Sequence, residues 1–235
     1  MPKAITFDLW NTIFDVIDYT EERIDFLTQF LKKGGFPCDK ELIREAYLSA
    51  LKFFTDTWRS EHRHISAGER TEYTLRAVGI DLPDTSEKVI VKEFEEIVLN
   101  NPPRLIDDAA RVIKVLHENY KLGLICDSGM SPGRILRDIL RGHKILKYFS
   151  CTIFSDEVGY TKPNPILFKK ALEKLNAEPA EAIHVGDLLR TDIAGAKAVG
   201  MKAVWFNWKN EQRSEREVVP DYEIHKLSEL LSILG

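Results

Sequence analysis

At 235 residues the chain can hold one large domain, or a domain with an insert. Its net charge of −4 argues against nucleic acid as a partner, and no apolar run approaches the roughly 18 residues of a membrane span. Three cysteines, Cys38, Cys126 and Cys151, share no metal-ligand spacing. Because the chain also runs straight into its first predicted strand, we expect a cytoplasmic protein with no disulfides and no signal peptide.

The first predicted strand is a short apolar run, Ala4 to Phe7, that is followed at once by Asp8. A parallel strand buried on both faces has this pattern, and in open α/β sheets the chemistry lies just beyond the carboxyl ends of the strands. Asp8 could there be a nucleophile, a metal ligand or both, and the Thr12 hydroxyl could hold a substrate oxygen. An Asp that caps the following turn is the alternative, and this stretch alone leaves both open.

The next part of the chain, residues 17–103, has apolar residues at helical spacing and no strand pattern. The spacing predicts helices over residues 19–33, 39–59, 66–79 and 86–100. Ser66 and Glu69 form a capping box at the start of the third helix, and an Asn-Pro-Pro run ends the segment. We therefore expect an all-helical insert over residues 17–103, with the core domain over residues 1–16 and 104–235.

Beyond the insert, short apolar strands alternate with helices. Strands are predicted at 122–126, 151–155, 182–186 and 203–206, with a possible edge strand at 222–224. Helices are predicted at 107–120, 134–140, 164–175, 193–199 and 226–234. Five or six apolar strands joined by helices predict an α/β fold with a parallel, doubly wound sheet.

Polar residues follow four of the predicted strands. In chain order they are Asp8; Cys126, Asp127 and Ser128; Lys162; and Asp187 with Asp192. Because the carboxyl ends of parallel strands lie along one edge of the sheet, we expect these side chains to converge. Clustered carboxylates repel one another unless a cation joins them, and Mg²⁺ prefers such oxygen ligands. Each residue alone could be a turn, cap or loop residue, but their succession on consecutive strands favours a functional site.

This ordered set resembles the signature of the haloacid dehalogenase (HAD) superfamily, whose members use an Asp nucleophile on a Rossmann-like core. The matching positions are Asp8 with Thr12, the turn at 126–128, Lys162 before a proline, and Gly-Asp at 186–187 with Asp192. The resemblance spans the whole chain, and the helical insert falls where the family's C1 cap domain falls.

The resemblance implies a role for each matching residue. Asp8 would attack the substrate and form an aspartyl-enzyme intermediate, and Lys162 would neutralise charge on Asp8 and on the substrate. Thr12 and the turn at 126–128 would hold the transferring group. Mg²⁺ would be bound by Asp8, Asp187 and the backbone carbonyl of Trp10, with Asp192 as a further ligand or as a support for the others.

Trp10 departs from the family pattern, because typical HAD phosphatases have a second Asp at this position as the general acid and base. Losing such a group typically costs about 10²–10⁴-fold in rate, so Trp10 favours leaving groups that need no proton. Dehalogenases of the family lack the Gly-Asp carboxylate, which this chain keeps as Asp187. We therefore rank a Mg²⁺-dependent phosphatase of a small phosphorylated metabolite first and an (S)-2-haloacid dehalogenase second. A weakly catalytic binding or regulatory protein is third.

Cys126 occupies the place of a Ser or Thr in the family pattern, and a thiol is a poor hydrogen-bond donor. Ser128 or backbone N–H groups beside Asp127 are the alternative oxyanion donors, and Cys126 is then a buried structural residue. In the insert, His62 and His64 are possible acids or bases. Arg44 and Arg59 are possible halide ligands, although exposed helix arginines are the more common explanation. The expected partner is a small anionic molecule, and the expected assembly is a monomer or homodimer.

Overall fold

A computed structural model of the protein describes residues 2–36 and 39–234. Its six strands form one parallel sheet in the order β3-β2-β1-β4-β5-β6. They are β1 (Ala4–Phe7), β2 (Lys121–Cys126), β3 (Phe149–Phe154), β4 (Ala182–Gly186), β5 (Lys202–Phe206) and β6 (Tyr222–Ile224). The predicted α/β fold with a doubly wound, Rossmann-like parallel sheet is confirmed.

In the described part of the chain, five α-helices lie between β1 and β2, and five more follow β2. The first four are α1 (Thr20–Lys33), α2 (Lys40–Ser60), α3 (Ala67–Ala77) and α4 (Asp84–Glu96). The others are α5 (Ala109–His117), α6 (Gly133–Gly142), α7 (Ser155–Val158), α8 (Pro165–Leu175), α9 (Ala194–Ala198) and α10 (Leu230–Leu234). Within residues 2–36 and 39–234, no helix is long and apolar enough to cross a membrane.

Side chains alternate between the two faces of the sheet, as the pleat requires. Ile5 and Phe7 pack in one apolar layer, whereas Ala4 packs in the layer on the opposite face. A third apolar cluster is built mainly from helices α1 to α4. Met130, from the turn after β2, also packs in this cluster. This separate cluster supports the predicted helical insert, while its treatment as an independent domain stays a prediction.

Several helices differ from the predicted bounds at their ends. The helix predicted at 107–120 is shortened to α5 because Asp108 adopts a positive φ of 67° immediately before it. The helix predicted at 193–199 is preceded by a π-helical turn, Leu189–Ile193. Helix α7 was not predicted, since it is a single turn that begins directly at the end of β3.

Cys126 and Cys151, the two cysteines in the described part of the chain, are buried and free. Cys38 lies outside the described residues.

Candidate active site

Asp8 lies just beyond β1, near the middle of the sheet, and is almost fully buried. Its Oδ1 accepts a hydrogen bond from the Lys162 ammonium, and its Oδ2 accepts one from the Thr12 hydroxyl at 3.4 Å. Thr12 is fully buried and does not line the cavity beside Asp8. Its hydroxyl therefore orients Asp8, whereas the sequence predicted that it would hold the transferring group.

Lys162 joins the ends of three strands. Its Nζ contacts Asp8, donates to Asp192 Oδ1 at 2.6 Å, and donates to the carbonyl oxygen of Ile125 at 3.2 Å. Burial lowers the pKa of this ammonium, but Asp192 and Asp8 outweigh that effect, and the pKa of Lys162 lies well above its usual range. The residue is only 2% exposed and stays charged, so its ammonium is a fixed cation between two carboxylates.

Asp8, Asp187 and Asp192 each offer a carboxylate oxygen, and these oxygens lie within 4.8 Å of one another. Burial, together with the Asp192 charge, raises the pKa of Asp187 to about 7, and burial raises the pKa of Asp8 well above its usual range. Three carboxylates share one ammonium, so the cluster in its ionised form carries two uncompensated negative charges. Hard oxygen donors with this charge fit a divalent cation.

Asp192 differs from the other two carboxylates because both of its oxygens already have partners. Oδ1 accepts from Lys162 and from His184 Nε2 at 3.2 Å, and Oδ2 accepts from the backbone N–H of Leu188 at 3.1 Å and the hydroxyl of Thr191 at 3.3 Å. Burial raises the pKa of Asp192, but the Lys162 and His184 partners outweigh it and hold that pKa low. Asp192 is therefore suited to hold Lys162 and the loop after β4 in place.

Gly186, at the end of β4 and directly before Asp187, lies against the side chain of Asp192. A Cβ atom built at Gly186 would collide with the Cβ and Cγ atoms of Asp192. Any larger residue would push Asp192 away from Lys162. The Gly-Asp pair at 186–187 thus allows both Asp187 and Asp192 to approach Asp8.

The turn after β2 brings Asp127 and Ser128 to the site but leaves Cys126 behind. Cys126 is fully buried in the apolar layer, and burial raises its thiol pKa well above the usual range. It does not line the cavity, so its predicted substrate contact has no support, and the structural alternative fits the observed packing. Ser128 lines the cavity, and its hydroxyl lies 3.0 Å from that of Ser155.

Asp127 connects the core to the helical insert. Its Oδ1 accepts from the backbone N–H of Lys162, and its Oδ2 accepts from the indole N–H of Trp58, each at 2.9 Å. The guanidinium carbon of Arg190 lies 3.8 Å from the Trp58 ring centroid. Asp127 is thus occupied in holding α2 over the sheet edge.

A cavity of about 420 Å³ lies between the sheet edge and the insert. Trp10 is half-buried and lines this cavity. It occupies the position at which the family pattern has a general acid and this chain does not. Most other predicted site residues also line the cavity: Asp8, Asp127, Ser128, Lys162, Asp187 and Asp192. On the insert side it is lined by Tyr19, Arg23, Phe54, Trp58 and His64.

Of the further residues considered in the insert, one lines the cavity. His64 does so, and its Nδ1 lies 3.0 Å from the Ser155 hydroxyl, whereas His62 contacts the Trp58 carbonyl oxygen. Arg59 is exposed, and Arg44 pairs with Glu21 at 2.6 Å. Neither arginine is a wall residue of the cavity, so neither supports a halide site.

Sequence reasoning missed three contributors to the site. His184 lies inside β4 and links Asp192 to the Thr6 hydroxyl, which is 2.9 Å from His184 Nδ1. Asn11 hydrogen-bonds Asp187 and lowers its pKa against the stronger effect of burial. Arg23 of α1 lines the cavity. Only the polar His within an otherwise apolar strand was a usable signal in the sequence.

Comparison with known proteins identifies the family. Residues 2–200 match the family described as haloacid dehalogenase-like hydrolase. The chain belongs to this family.

Among the curated relatives of this haloacid dehalogenase-like hydrolase is the glyceraldehyde 3-phosphate phosphatase of Pyrococcus abyssi. The two are 34% identical over 241 residues, which cover 100% of this chain and 94% of the relative. Among solved structures, an HAD phosphatase from Thermococcus onnurineus is 32% identical, with a TM-score of 0.69 over 99% of this chain and 98% of that one. A 2-haloacid dehalogenase from Pseudomonas syringae pv. Tomato is 26% identical, with a TM-score of 0.74 over 100% and 98%. The curated phosphatase relatives support phosphatase-type hydrolysis over dehalogenation, the order that the sequence predicted.

Proposed function

We propose that this protein is a Mg²⁺-dependent phosphatase that hydrolyses a small phosphorylated metabolite with a good leaving group. The observation that carries the proposal is the arrangement of Asp8, Lys162 and Asp187 at the base of one cavity. Phosphoryl transfer needs little beyond a positioned nucleophile and neutralisation of negative charge, and this arrangement provides both.

Mg²⁺ fits the donor set of this site. Asp8 and Asp187 would hold it, together with the backbone carbonyl of Trp10, and Asp192 would support them through Lys162 and the loop after β4. The bound ion would supply positive charge to the phosphoryl oxygens as negative charge builds up on them.

Asp8 acts as the nucleophile in this proposal. A carboxylate oxygen of Asp8 bonds to phosphorus while the bond from phosphorus to the leaving oxygen breaks, which gives an aspartyl phosphate and the free leaving group. A water oxygen then bonds to the same phosphorus and the bond to Asp8 breaks, so that Asp8 is again a carboxylate. Inorganic phosphate leaves with one proton of the water, and the other proton passes to solvent. Lys162 stays beside Asp8 throughout and lowers the repulsion between this carboxylate and the anionic substrate.

Trp10 limits the leaving groups that this site can release. An indole side chain transfers no useful proton. Asp127, a further carboxylate in the turn after β2, already accepts hydrogen bonds on both of its oxygens. An alkoxide leaving group would therefore depart without protonation by either residue. Acyl phosphates, aryl phosphates and phosphoanhydrides release weaker bases, which supports them as better substrates than simple alkyl phosphates.

The test is a comparison of phosphate release from acetyl phosphate, p-nitrophenyl phosphate and glycerol 3-phosphate, with Mg²⁺ and with a chelator, beside chloride release from L-2-chloropropionate. We expect Mg²⁺-dependent phosphate release, fastest from acetyl phosphate, and no chloride. Asp8→Asn should abolish it because an amide nitrogen is not a nucleophile, whereas Asp15→Asn, at an exposed carboxylate of the same segment, should leave it unchanged. Metal-independent chloride release, or full activity in Asp8→Asn, would overturn the proposal.

A further inference from the structure

Two arginines of the helical insert are buried, which is unusual for this residue type. Arg23 of α1 is 7% exposed and Arg70 of α3 is 6% exposed. Burial lowers the pKa of Arg70 to about 10, and the nearby charge of Arg23 contributes to this lowering against an opposing effect of Tyr47. The insert therefore encloses two positive charges near each other.

Arg23 contacts the cavity directly. Its Nε donates to the carbonyl oxygen of Phe94 at 3.1 Å, and its guanidinium lies 5.6 Å from the ring of Tyr19, another wall residue. Among the residues that the structure describes, no acceptor contacts its two terminal nitrogens within hydrogen-bond distance. The four N–H donors on these two nitrogens thus remain available to a bound group.

Arg70 lies behind the cavity wall rather than in it. Its guanidinium carbon is 3.4 Å from the ring centroid of Phe54, which lines the cavity. Its Nε and Nη2 atoms are buried and have no hydrogen-bond partner within residues 2–36 and 39–234. These two atoms form the edge of the guanidinium that binds a carboxylate or phosphoryl group with two parallel hydrogen bonds.

No carboxylate in the described part of the chain forms an ion pair with Arg23 or Arg70. Glu69, the acidic neighbour that acts on Arg70, is already bound to Arg63 at 2.7 Å and to the backbone N–H of Ser66 at 2.9 Å. A buried charge without a partner is costly, so retention of two of them beside the cavity needs a reason outside the insert's own packing.

We infer that Arg23 and Arg70 form a second anion subsite, which takes a carboxylate or a second phosphoryl group of the substrate. The inference rests on the proposed function, in which the phosphoryl group that is transferred lies at Asp8. Arg23 meets the distal anionic group from the cavity wall. Arg70 meets it through its Nε–Nη2 edge once the Phe54 ring turns aside. The substrate class is thereby narrowed to small molecules with two anionic groups.

Binding to the Asp8→Asn protein tests this subsite without turnover. Calorimetric titration in the presence of Mg²⁺ would use glycerol 3-phosphate, 3-phosphoglycerate and pyrophosphate. The first has a neutral tail, the second a carboxylate and the third a second phosphoryl group. We expect at least one anionic-tail probe to bind about tenfold or more tightly than glycerol 3-phosphate. Preference for 3-phosphoglycerate alone assigns a carboxylate, and preference for pyrophosphate alone assigns a phosphoryl group.

The arginine variants then locate the preference. Arg23→Met and Arg70→Met should each weaken binding of the preferred probe by about 10- to 100-fold. Each should change the affinity for glycerol 3-phosphate by less than about threefold. Arg76→Met, at an exposed residue of α3, is the matched control and should change neither. Because Met removes an unpaired buried charge, the melting temperature of Arg70→Met should not fall below that of the parent.

Equal affinity of the parent for all three probes would overturn the inference. An equal loss of affinity for all three probes in Arg70→Met, together with a lower melting temperature, would also overturn it, since that result assigns Arg70 to packing alone. Failure of the proposed function would be a separate result. In that case the unmodified protein, with Asp8 present, would release no phosphate from any ester or anhydride, whereas the titration of Asp8→Asn measures binding only.

Discussion

Replacing Lys162 by Met removes the cation that holds the strand ends together. Lys162 is 2% exposed and contacts Asp8, Asp192 and the carbonyl oxygen of Ile125. A Met side chain fills a similar volume but carries no charge. Asp8 and Asp192 would then face each other in a buried site, without the ammonium between them.

The size of the effect follows from this burial. Removing one partner of a buried ion pair costs about 3–5 kcal/mol, because the remaining charge is left unpaired. For a protein of this length, each kcal/mol lowers the melting temperature by about 2–4 °C, so the expected drop is about 6–20 °C. Lys170→Met, at an exposed residue of α8, should change it by no more than about 2 °C.

The pH dependence of this drop separates lost charge from lost packing. Without Lys162, the folded-state pKa of Asp8, which burial already raises, rises further, and the pKa of Asp192 rises because it loses the partner that most strongly opposes burial. A carboxyl with a raised folded pKa binds its proton more tightly when folded, so the deficit is full at high pH and shrinks as the pH falls. Melting curves by circular dichroism without metal, at about pH 8 and about pH 5, measure this change. A drop of the same size at both pH values, or none at either, would refute the electrostatic reasoning.

Three further predictions concern other parts of the site. Trp10→Asp should raise hydrolysis of glycerol 3-phosphate, by up to about 10²-fold in steady-state assays, because it supplies the missing acid; an unchanged rate would mean that another group already protonates the leaving oxygen. The pKa of Asp187 is raised to about 7, and this carboxyl must lose its proton to bind a metal. Mg²⁺ should therefore bind about tenfold more weakly at about pH 6 than at about pH 8 by calorimetry, and a pH-independent Kd would contradict that role. Trp58→Phe removes the indole donor to half-buried Asp127 and should lower the free energy of unfolding by about 1–3 kcal/mol in urea. Unchanged stability would mean that this hydrogen bond contributes little.

The sheet and the residues at its strand ends were predictable because the relevant signals are local. A four-residue apolar run places Asp8 at the end of β1, and a similar run places Asp187 after β4. Parallel pairing of β1 with both β2 and β4 then brings their ends to one edge. Neither step requires knowledge of side-chain packing.

The sequence could not reveal contacts that depend on how the insert lies against the sheet. Trp58 and Asp127 are 69 residues apart, and nothing local in either segment indicates their hydrogen bond. Arg23 and Arg70 look like ordinary helix arginines until their burial and missing partners are known. Thr12 was assigned to the substrate because of its hydroxyl and its match to the family pattern, and only the structure shows that the hydroxyl contacts Asp8 itself.

Trp10 and the buried arginines become consistent when they are considered together. A site without an acid beside the leaving oxygen favours a leaving group that departs as an anion, and such a group gains negative charge in the transition state. A guanidinium already fixed in a dry environment stabilises that charge more than water would, because its orientation costs nothing at the moment of reaction. If the second anionic group is the leaving group itself, Arg23 and Arg70 would offset the absence of a proton donor at Trp10. The same two charges would explain both how the substrate is recognised and why this chain can dispense with the usual acid.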